Sequence, residues 1–219
     1  MLLILEGGQN KVADFTRIFP SSGSTMPQFP PGLDSWSVSG KPHFRATMQV
    51  GRTWSEVIKP MKWDNPNTQK FVAYINSLWR ERTIFTIAHP HLSVLLGDAT
   101  GGTPLLKGAS LSGSSITTDG WQNNTTVLLA GDIIKIEGIN LVYDITADAL
   151  SDGSGNATLS ISPPLYPPAN FLSDNKAITY NSTDGNVKFR ATLNAKPLFP
   201  KCGVDAWYIG TELFFRECP

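Results

Sequence analysis

Segments that alternate like a β-strand stand near both ends of this chain, on either side of a long middle region of different character. In Phe44–Val50 and again in Val187–Leu193, apolar residues alternate with polar ones, which is the period of a strand buried on one face. Further strands are predicted at Trp54–Ile58 and within Trp207–Phe215. Because a strand must complete its hydrogen bonds in a sheet, we expect the two ends of the chain to share one sheet.

A single segment has the period of a helix. Near Thr68–Arg82, five apolar residues recur at spacings of three and four and form one stripe: Phe71, Tyr74, Ile75, Leu78 and Trp79. The capping types Asp64, Asn65 and Asn67 beside Pro66 predict where this helix begins. We expect its apolar stripe to pack against the sheet.

The middle region, from about Pro90 to Asn175, consists of short β-branched runs separated by turns. Its strands are predicted at Leu105–Leu106, Ser115–Thr118, Thr126–Leu129, Asp132–Glu137, Leu141–Thr146 and Ala157–Ile161. Short strands at this spacing favour a small barrel, which the pairs Pro163-Pro164 and Pro167-Pro168 are expected to end. The predicted fold is therefore mainly β: a β-sandwich-like domain with one helix, built from residues 1–90 and 176–219, is interrupted by a small β-barrel at residues 91–175.

The first forty residues mix short apolar runs with proline-rich stretches such as Pro27–Gly32, and they predict a long arm or loop. The apolar start, Met1–Leu5, lacks the basic flank and the length of a signal peptide. No run approaches the roughly 18 apolar residues of a spanning helix. We therefore expect a protein without a leader or a membrane span, made in a cytoplasm.

Charge and cysteine content exclude some classes of function. Eighteen basic and eighteen acidic residues cancel, so the chain lacks the positive field that drives binding to phosphate backbones, and nucleic acid is not expected as a direct ligand. Charged residues make up 16% of the chain, against roughly 25% in average soluble domains, which favours a component of an assembly. Cys202 and Cys218 are interpreted as free thiols, with a single bridge as the alternative.

Three patterns were weighed as sites of chemistry. His89 and His91 have the spacing of two metal ligands on an extended segment, but no Asp, Glu or Cys stands nearby at a motif spacing, so ordinary turn or interface histidines are favoured. Asp148–Asn156 contains residue types of a calcium loop without its bidentate Glu, which favours a hairpin turn. The run Gly97–Gly102 lacks the Lys-Ser or Lys-Thr pair of a phosphate loop. We expect no enzyme, no cofactor and no metal site.

Trp121, in the polar segment Asp119–Asn123, is the best candidate for an exposed tryptophan. An exposed tryptophan can stack on a sugar ring or anchor a protein partner. Trp121 is therefore a candidate glycan or partner contact.

Three runs, Ala130–Ile136, Leu141–Asp148 and Asp152–Leu165, together resemble a β-meander common in phage virion proteins. The layout of the whole chain is similar to that of the distal tail proteins, or baseplate hub proteins, of long-tailed siphophages. In that family a β-sandwich-like domain with one helix is interrupted by an OB-like (oligonucleotide/oligosaccharide-binding-like) barrel. Arg52–Ile87 would match the strand-helix-strand stretch of the family, and Lys188–Glu217 its returning strands.

The resemblance implies a structural role in the virion, at the tail tip. Its subunits would form a homo-oligomer, a hexameric ring, that joins the tail tube to tip or fibre proteins. It implies no catalytic residues, no sequence-specific nucleic acid and no membrane. Two alternatives are kept: a carbohydrate-binding module that uses Trp121, and another phage structural protein such as a tube protein or a head-tail connector.

Overall fold

The computed structural model describes residues 13–14, 21–24, 33–36, 42–45, 51–58, 61–62, 64–89, 92, 94–99, 102–108, 112–165, 174–181, 187–200, 207–208 and 212–218. Within these ranges it contains one helix, α1 (Pro66–Glu81). The strands in the same ranges are β1 (Ala13–Asp14), β2 (Ser21–Ser24), β3 (Leu33–Trp36), β4 (Pro42–Arg45), β5 (Thr53–Ile58), β6 (Met61–Lys62), β7 (Phe85–Ile87), β8 (Leu105–Leu106), β9 (Gly113–Asp119), β10 (Thr126–Leu128), β11 (Ile133–Ile136), β12 (Val142–Ile145), β13 (Ala149–Leu150), β14 (Ala157–Leu165), β15 (Ile178–Tyr180), β16 (Phe189–Leu193), β17 (Trp207–Tyr208) and β18 (Glu212–Glu217).

The first sheet takes its strands from both ends of the chain, in the order β1-β7-β16-β18-β5-β2. β18 lies between β16 and β5 and is antiparallel to both. The parallel pair is β1 with β7. The expectation that strands from the two ends share one sheet is confirmed.

Helix α1 begins at Pro66, two residues before the predicted start. Asn65 caps it, because the Asn65 side chain accepts the backbone N–H of Asn67 at 2.9 Å. Ile75 and Leu78, from the predicted stripe, are buried in the core of the first sheet. The stripe therefore packs as expected.

The second sheet forms a nearly closed antiparallel barrel, in the order β15-β11-β12-β14-β9-β8. Its two ends meet, since the Leu106 N–H donates to the Lys176 carbonyl at 2.8 Å and the Ile178 N–H donates to the Pro104 carbonyl at 2.9 Å. β10 and β13 form a separate antiparallel pair beside it. Together with the first sheet and its helix, this barrel confirms the predicted fold class: mainly β, with a sandwich-like part and a small barrel.

Three details differ from the expectations. The proposed N-terminal arm contains β1, β2 and β3. β1 and β2 form because edges of the first sheet offer unpaired backbone groups even to a segment as poor in strand formers as Ser21–Ser24, whereas β3 pairs with β4 in a separate two-stranded sheet. β14 continues through Pro163-Pro164, where the pairing with β9 is irregular, so these prolines do not end the barrel. β15 pairs with β11 in the barrel, although the predicted boundary at residue 176 assigns it to the other domain.

The division of the chain into one domain at residues 1–90 and 176–219 and an inserted domain at residues 91–175 stays a prediction. The strand predicted at Phe44–Val50 extends beyond the described residues, which include its first part in β4. No helix in the described ranges has the length and apolar character needed to cross a bilayer.

Candidate functional site at the contact between the two sheets

Arg52 lies directly before β5 and is 1% exposed. Its guanidinium reaches from the first sheet to the barrel. Nη1 donates to Asp144 Oδ1 at 2.9 Å, and Nη2 donates to the Val142 carbonyl at 2.7 Å. Both acceptors belong to β12. The planar, always charged guanidinium suits such a two-acceptor arrangement, which an ammonium group would not reproduce.

Glu217, the last residue of β18, completes this contact. Its carboxylate accepts the Val142 N–H at 2.8 Å and the Arg52 N–H at 3.2 Å. The same carboxylate lies 3.9 Å from Arg52 Nε, and the Glu217 N–H donates to the Arg52 carbonyl at 2.8 Å. The Arg52, Asp144 and Glu217 side chains with the Val142 backbone are called the inter-sheet ion cluster below.

Apolar side chains of both sheets surround the cluster. Ile133 and Val142, from the barrel strands β11 and β12, lie in the same buried core as Phe189 and Phe215 of the first sheet. The guanidinium carbon of Arg52 lies 5.7 Å from the centre of the Phe189 ring. The two sheets therefore share one continuous hydrophobic contact, with the ion cluster inside it.

Gly51 allows β18 to approach this closely. A Cβ atom at residue 51 would lie 2.0 Å from the Glu217 carbonyl oxygen and 2.6 Å from its carbonyl carbon. Backbone atoms cannot rotate away from such a clash. The two segments that hold Arg52 and Glu217 can therefore lie side by side only when residue 51 is glycine.

Burial dominates the electrostatics of the two carboxylates. It raises the pKa of Glu217 above its usual value, against the lowering effects of the Val142 N–H and the Arg52 cation. Burial also raises the pKa of Asp144, again opposed by Arg52. Without the arginine, both carboxylates would be still harder to keep ionised.

Two neighbouring groups respond to the same environment. Burial lowers the pKa of Lys135, and Arg190 adds to this effect while Glu217 opposes it. Burial raises the pKa of Tyr143 to about 12, and the negative charge of Glu217 acts in the same direction. Tyr143 therefore stays protonated, and neutral, over the physiological range.

This arrangement joins two sheets. Removing one partner of a buried ion pair typically destabilises a protein by about 3–5 kcal/mol, because the remaining charge is left buried without compensation. The cluster therefore couples the position of the barrel to that of the first sheet.

The inter-sheet ion cluster was not among the predicted sites, although the sequence contains a signal for it. Leu213, Phe215 and Glu217 alternate along β18 and share one face of the strand. Since Leu213 and Phe215 are buried, the alternation places Glu217 inside as well. A carboxylate on a buried face needs a partner, but sequence alone does not identify Arg52.

Trp121, the predicted glycan or partner contact, is 4% exposed, so the expectation of an exposed ring is wrong. Its Nε1–H donates to Thr118 Oγ1 at 2.7 Å, and its ring lies 5.3 Å from that of Tyr180. The barrel core provides both an apolar surface and a hydrogen-bond acceptor, which is what a buried indole requires.

His89 is 1% exposed, and its ring meets that of Trp54 edge-on at 6.3 Å. His89 therefore lies in the core beside the first sheet, whereas His91 lies outside the described residues. In the part of the chain that the structure describes, no three His, Cys, Asp or Glu side chains come together as possible metal ligands. Cys218 is a free thiol, and Cys202 lies outside the described ranges.

The segment Asp148–Asn156 forms a turn around one carboxylate. Asp152 accepts the N–H of Ser154 at 2.7 Å and the N–H of Asn156 at 2.9 Å. The side-chain N–H of Asn156 donates to the same carboxylate at 2.8 Å and contributes most to holding the pKa of Asp152 below its usual value, with the two backbone N–H groups acting in the same direction. The turn is confirmed, but it is not a simple hairpin, because β13 pairs with β10 and not with β14.

No protein-family model matches this chain, and no curated protein was found to be similar to it.

Proposed function

We propose that this chain is a structural subunit of a phage tail tip, and that its copies form a ring that joins the tail tube to tip or fibre proteins in the virion. The observation that carries the proposal is the order of the first sheet. β5 and β7, which precede the barrel in sequence, lie beside β18 and β16, which follow it. A sheet-and-helix body interrupted by a barrel is the layout of the distal tail proteins that the sequence resembles.

The inter-sheet ion cluster supports a mechanical role. A ring that connects a tube to tip proteins transmits force between them, and a barrel that carries partners must keep its position relative to the ring. Arg52 binds β12 through two hydrogen bonds, and Glu217 binds the same strand through the Val142 N–H. These bonds, within a shared apolar core, oppose rotation of one sheet against the other.

The alternative of a carbohydrate-binding module has lost its main residue, because Trp121 is buried. The exposed large apolar side chains on and beside the barrel, among the described residues, are the aliphatic Val94, Leu96 and Leu150. Aliphatic side chains do not offer a flat aromatic face to a sugar ring. They suit contact with protein, which agrees with the structural proposal.

Solution mass tests the proposal. Six copies of 23.8 kDa give a ring of about 143 kDa, which light scattering after size exclusion separates clearly from a monomer. Negative-stain images of the large species should show closed rings with a central channel. A particle that stays at the monomer mass over the whole accessible concentration range would contradict ring formation by this chain.

A further inference from the structure

Three aliphatic side chains are unusually exposed beside the barrel. Val94, Leu96 and Leu150 have exposed fractions of 68%, 54% and 66%. Single exposed apolar residues are common in folded proteins, but a group of them on one region marks a contact surface.

The chain segment before the barrel holds Leu96 in a fixed position. The carboxylate of Asp132, itself 2% exposed, accepts the N–H of Leu96 at 2.7 Å and that of Gly97 at 3.1 Å. The Leu96 side chain lies against Gly131, where a Cβ atom would be 3.3 Å from Leu96 Cδ1. Leu96 is therefore presented in a preorganised geometry, which reduces the entropy lost when a partner binds.

Strand β10 brings Leu150 to the same region. Asp98, two residues after Leu96, donates its N–H to the Thr126 carbonyl at 2.9 Å, and Leu150 pairs with Thr126 from β13. The two segments thus lie on either side of β10, two strand spacings or about 10 Å apart. The barrel patch is defined as Val94, Leu96 and Leu150 with the exposed carboxylate residues Asp98 and Asp148 beside them.

The charge of the chain is divided between its two parts. Residues 94–181 contain eight acidic and three basic side chains, a formal charge of −5; since the whole chain is neutral, the remainder carries +5. The barrel patch lies in the acidic part. A partner that combines a basic surface with an exposed apolar residue would complement it.

This chain itself offers such a surface on β18. Along that strand Glu212, Phe214 and Arg216 are exposed, while the alternate residues Leu213, Phe215 and Glu217 are buried. Phe214 has an exposed fraction of 42%. The outer face of β18 is defined as Glu212, Phe214 and Arg216. The half-buried Arg190 of β16 shares this face, because it alternates with Thr192, which lies opposite Arg216, so the face carries more positive than negative charge.

We propose that the barrel patch of one copy binds the outer face of β18 in the next copy. The idea rests on the proposed ring, because a cyclic assembly brings one surface of each subunit against a different surface of its neighbour. Acidic and basic parts of successive copies then face each other around the ring. This explains how a chain without net charge can use electrostatic attraction to select its own kind as the partner.

The test compares charge variants of the patch by sedimentation velocity and light scattering. Asp98→Lys and Leu150→Lys each place a positive charge opposite the basic surface, so each should weaken self-association by about tenfold or more. Leu198→Lys is the matched control, since Leu198 is 68% exposed but lies outside the patch, and it should leave the mass unchanged. The combination of Asp98→Lys with Arg216→Glu in one chain should restore the ring.

Thermal melting of each variant first establishes that it is folded. Rings in the wild type, their loss in both patch variants and their return in the combined variant support the inference. Rings that persist in Asp98→Lys and Leu150→Lys overturn this docking surface and leave the proposed ring intact. An equal loss of rings in the control Leu198→Lys leads to the same conclusion. A strictly monomeric wild type overturns both proposals, since no second copy then occupies the patch.

Discussion

Replacing Arg52 with methionine tests how the two sheets are held together. The change keeps an unbranched apolar side chain, which reaches about as far as Arg52 Nε, and removes the guanidinium. It takes away the donor at 2.7 Å from the Val142 carbonyl and the donor at 2.9 Å from Asp144 Oδ1. It also removes the cation nearest to the buried carboxylate of Glu217.

The expected loss follows from which groups remain buried. The Asp144 side chain is 40% exposed and can be hydrated, so the loss of its partner should reduce the free energy of unfolding less. Glu217 has a side chain that is 0% exposed and would keep its negative charge without the Arg52 cation. For such a remaining charge, the free energy of unfolding falls by about 3–5 kcal/mol.

The assay is urea unfolding followed by tryptophan fluorescence, with a double-mutant cycle. Glu217→Gln in the Arg52→Met background removes the uncompensated charge and should recover about 1–3 kcal/mol. Glu212→Gln is the matched control on the same strand, because Glu212 is exposed. It should change stability by no more than about 0.5 kcal/mol in either background.

Two results would refute this reasoning. The first is an Arg52→Met variant within about 1 kcal/mol of the wild type, well below the loss expected for a broken buried pair. The second is equal recovery by Glu212→Gln and Glu217→Gln, which would mean that net charge, and not the buried carboxylate, determines the effect.

Three other predictions follow from the same structure. Burial raises the pKa of Glu217 in the folded state above its usual value of 4.5. The contribution of Glu217 to stability is therefore fully present below pH 4.5 and is lost as the pH rises through the folded-state pKa. Without Arg52 the folded-state pKa rises further. The loss in the free energy of unfolding caused by Arg52→Met should therefore be smaller near pH 5 than near pH 7 when measured by urea unfolding. Equal losses at the two pH values would contradict this. Gly51→Ala should destabilise by about 2–3 kcal/mol or prevent folding, because its Cβ meets backbone atoms, whereas Gly153→Ala, with its nearest contact at 3.8 Å, should have little effect in thermal melting. Trp121→Phe should lose about 1 kcal/mol or more, since it removes a buried hydrogen bond of 2.7 Å and the volume of the five-membered ring, and a loss below about 0.3 kcal/mol in urea unfolding would show that this bond contributes little.

Local patterns in the sequence were sufficient for most of the secondary structure. The stripe through Ile75 and Leu78 predicted the helix, alternation predicted β16 and β18, and a strand was also predicted at β5. These signals are local because helix and strand periods depend on neighbouring residues. Weak strands were missed: β2 is Ser21–Ser24, and it forms because the edge of β5 offers backbone partners.

The site residues show the limit of such patterns. Trp121 stands among polar residues and was predicted to be exposed, but the barrel closes around it and provides Thr118 as an acceptor. Asp132 was assigned to a strand end, whereas its buried carboxylate holds the segment that presents Leu96. The local pattern shows neither partner. Thr118 meets Trp121 through the geometry of the turn, and Asp132 meets Leu96 across 36 positions of the chain.

The sequence by itself determined the balance of elements, a mainly β chain with one helix and a turn-rich middle region, because periodicity and turn residues act over a few positions. Only the tertiary structure decided that Arg52, Asp144 and Glu217 meet, since they are separated by 92 and 165 positions along the chain. Contacts between such distant residues depend on strand order and register, which the hydrophobic pattern of any single strand does not specify.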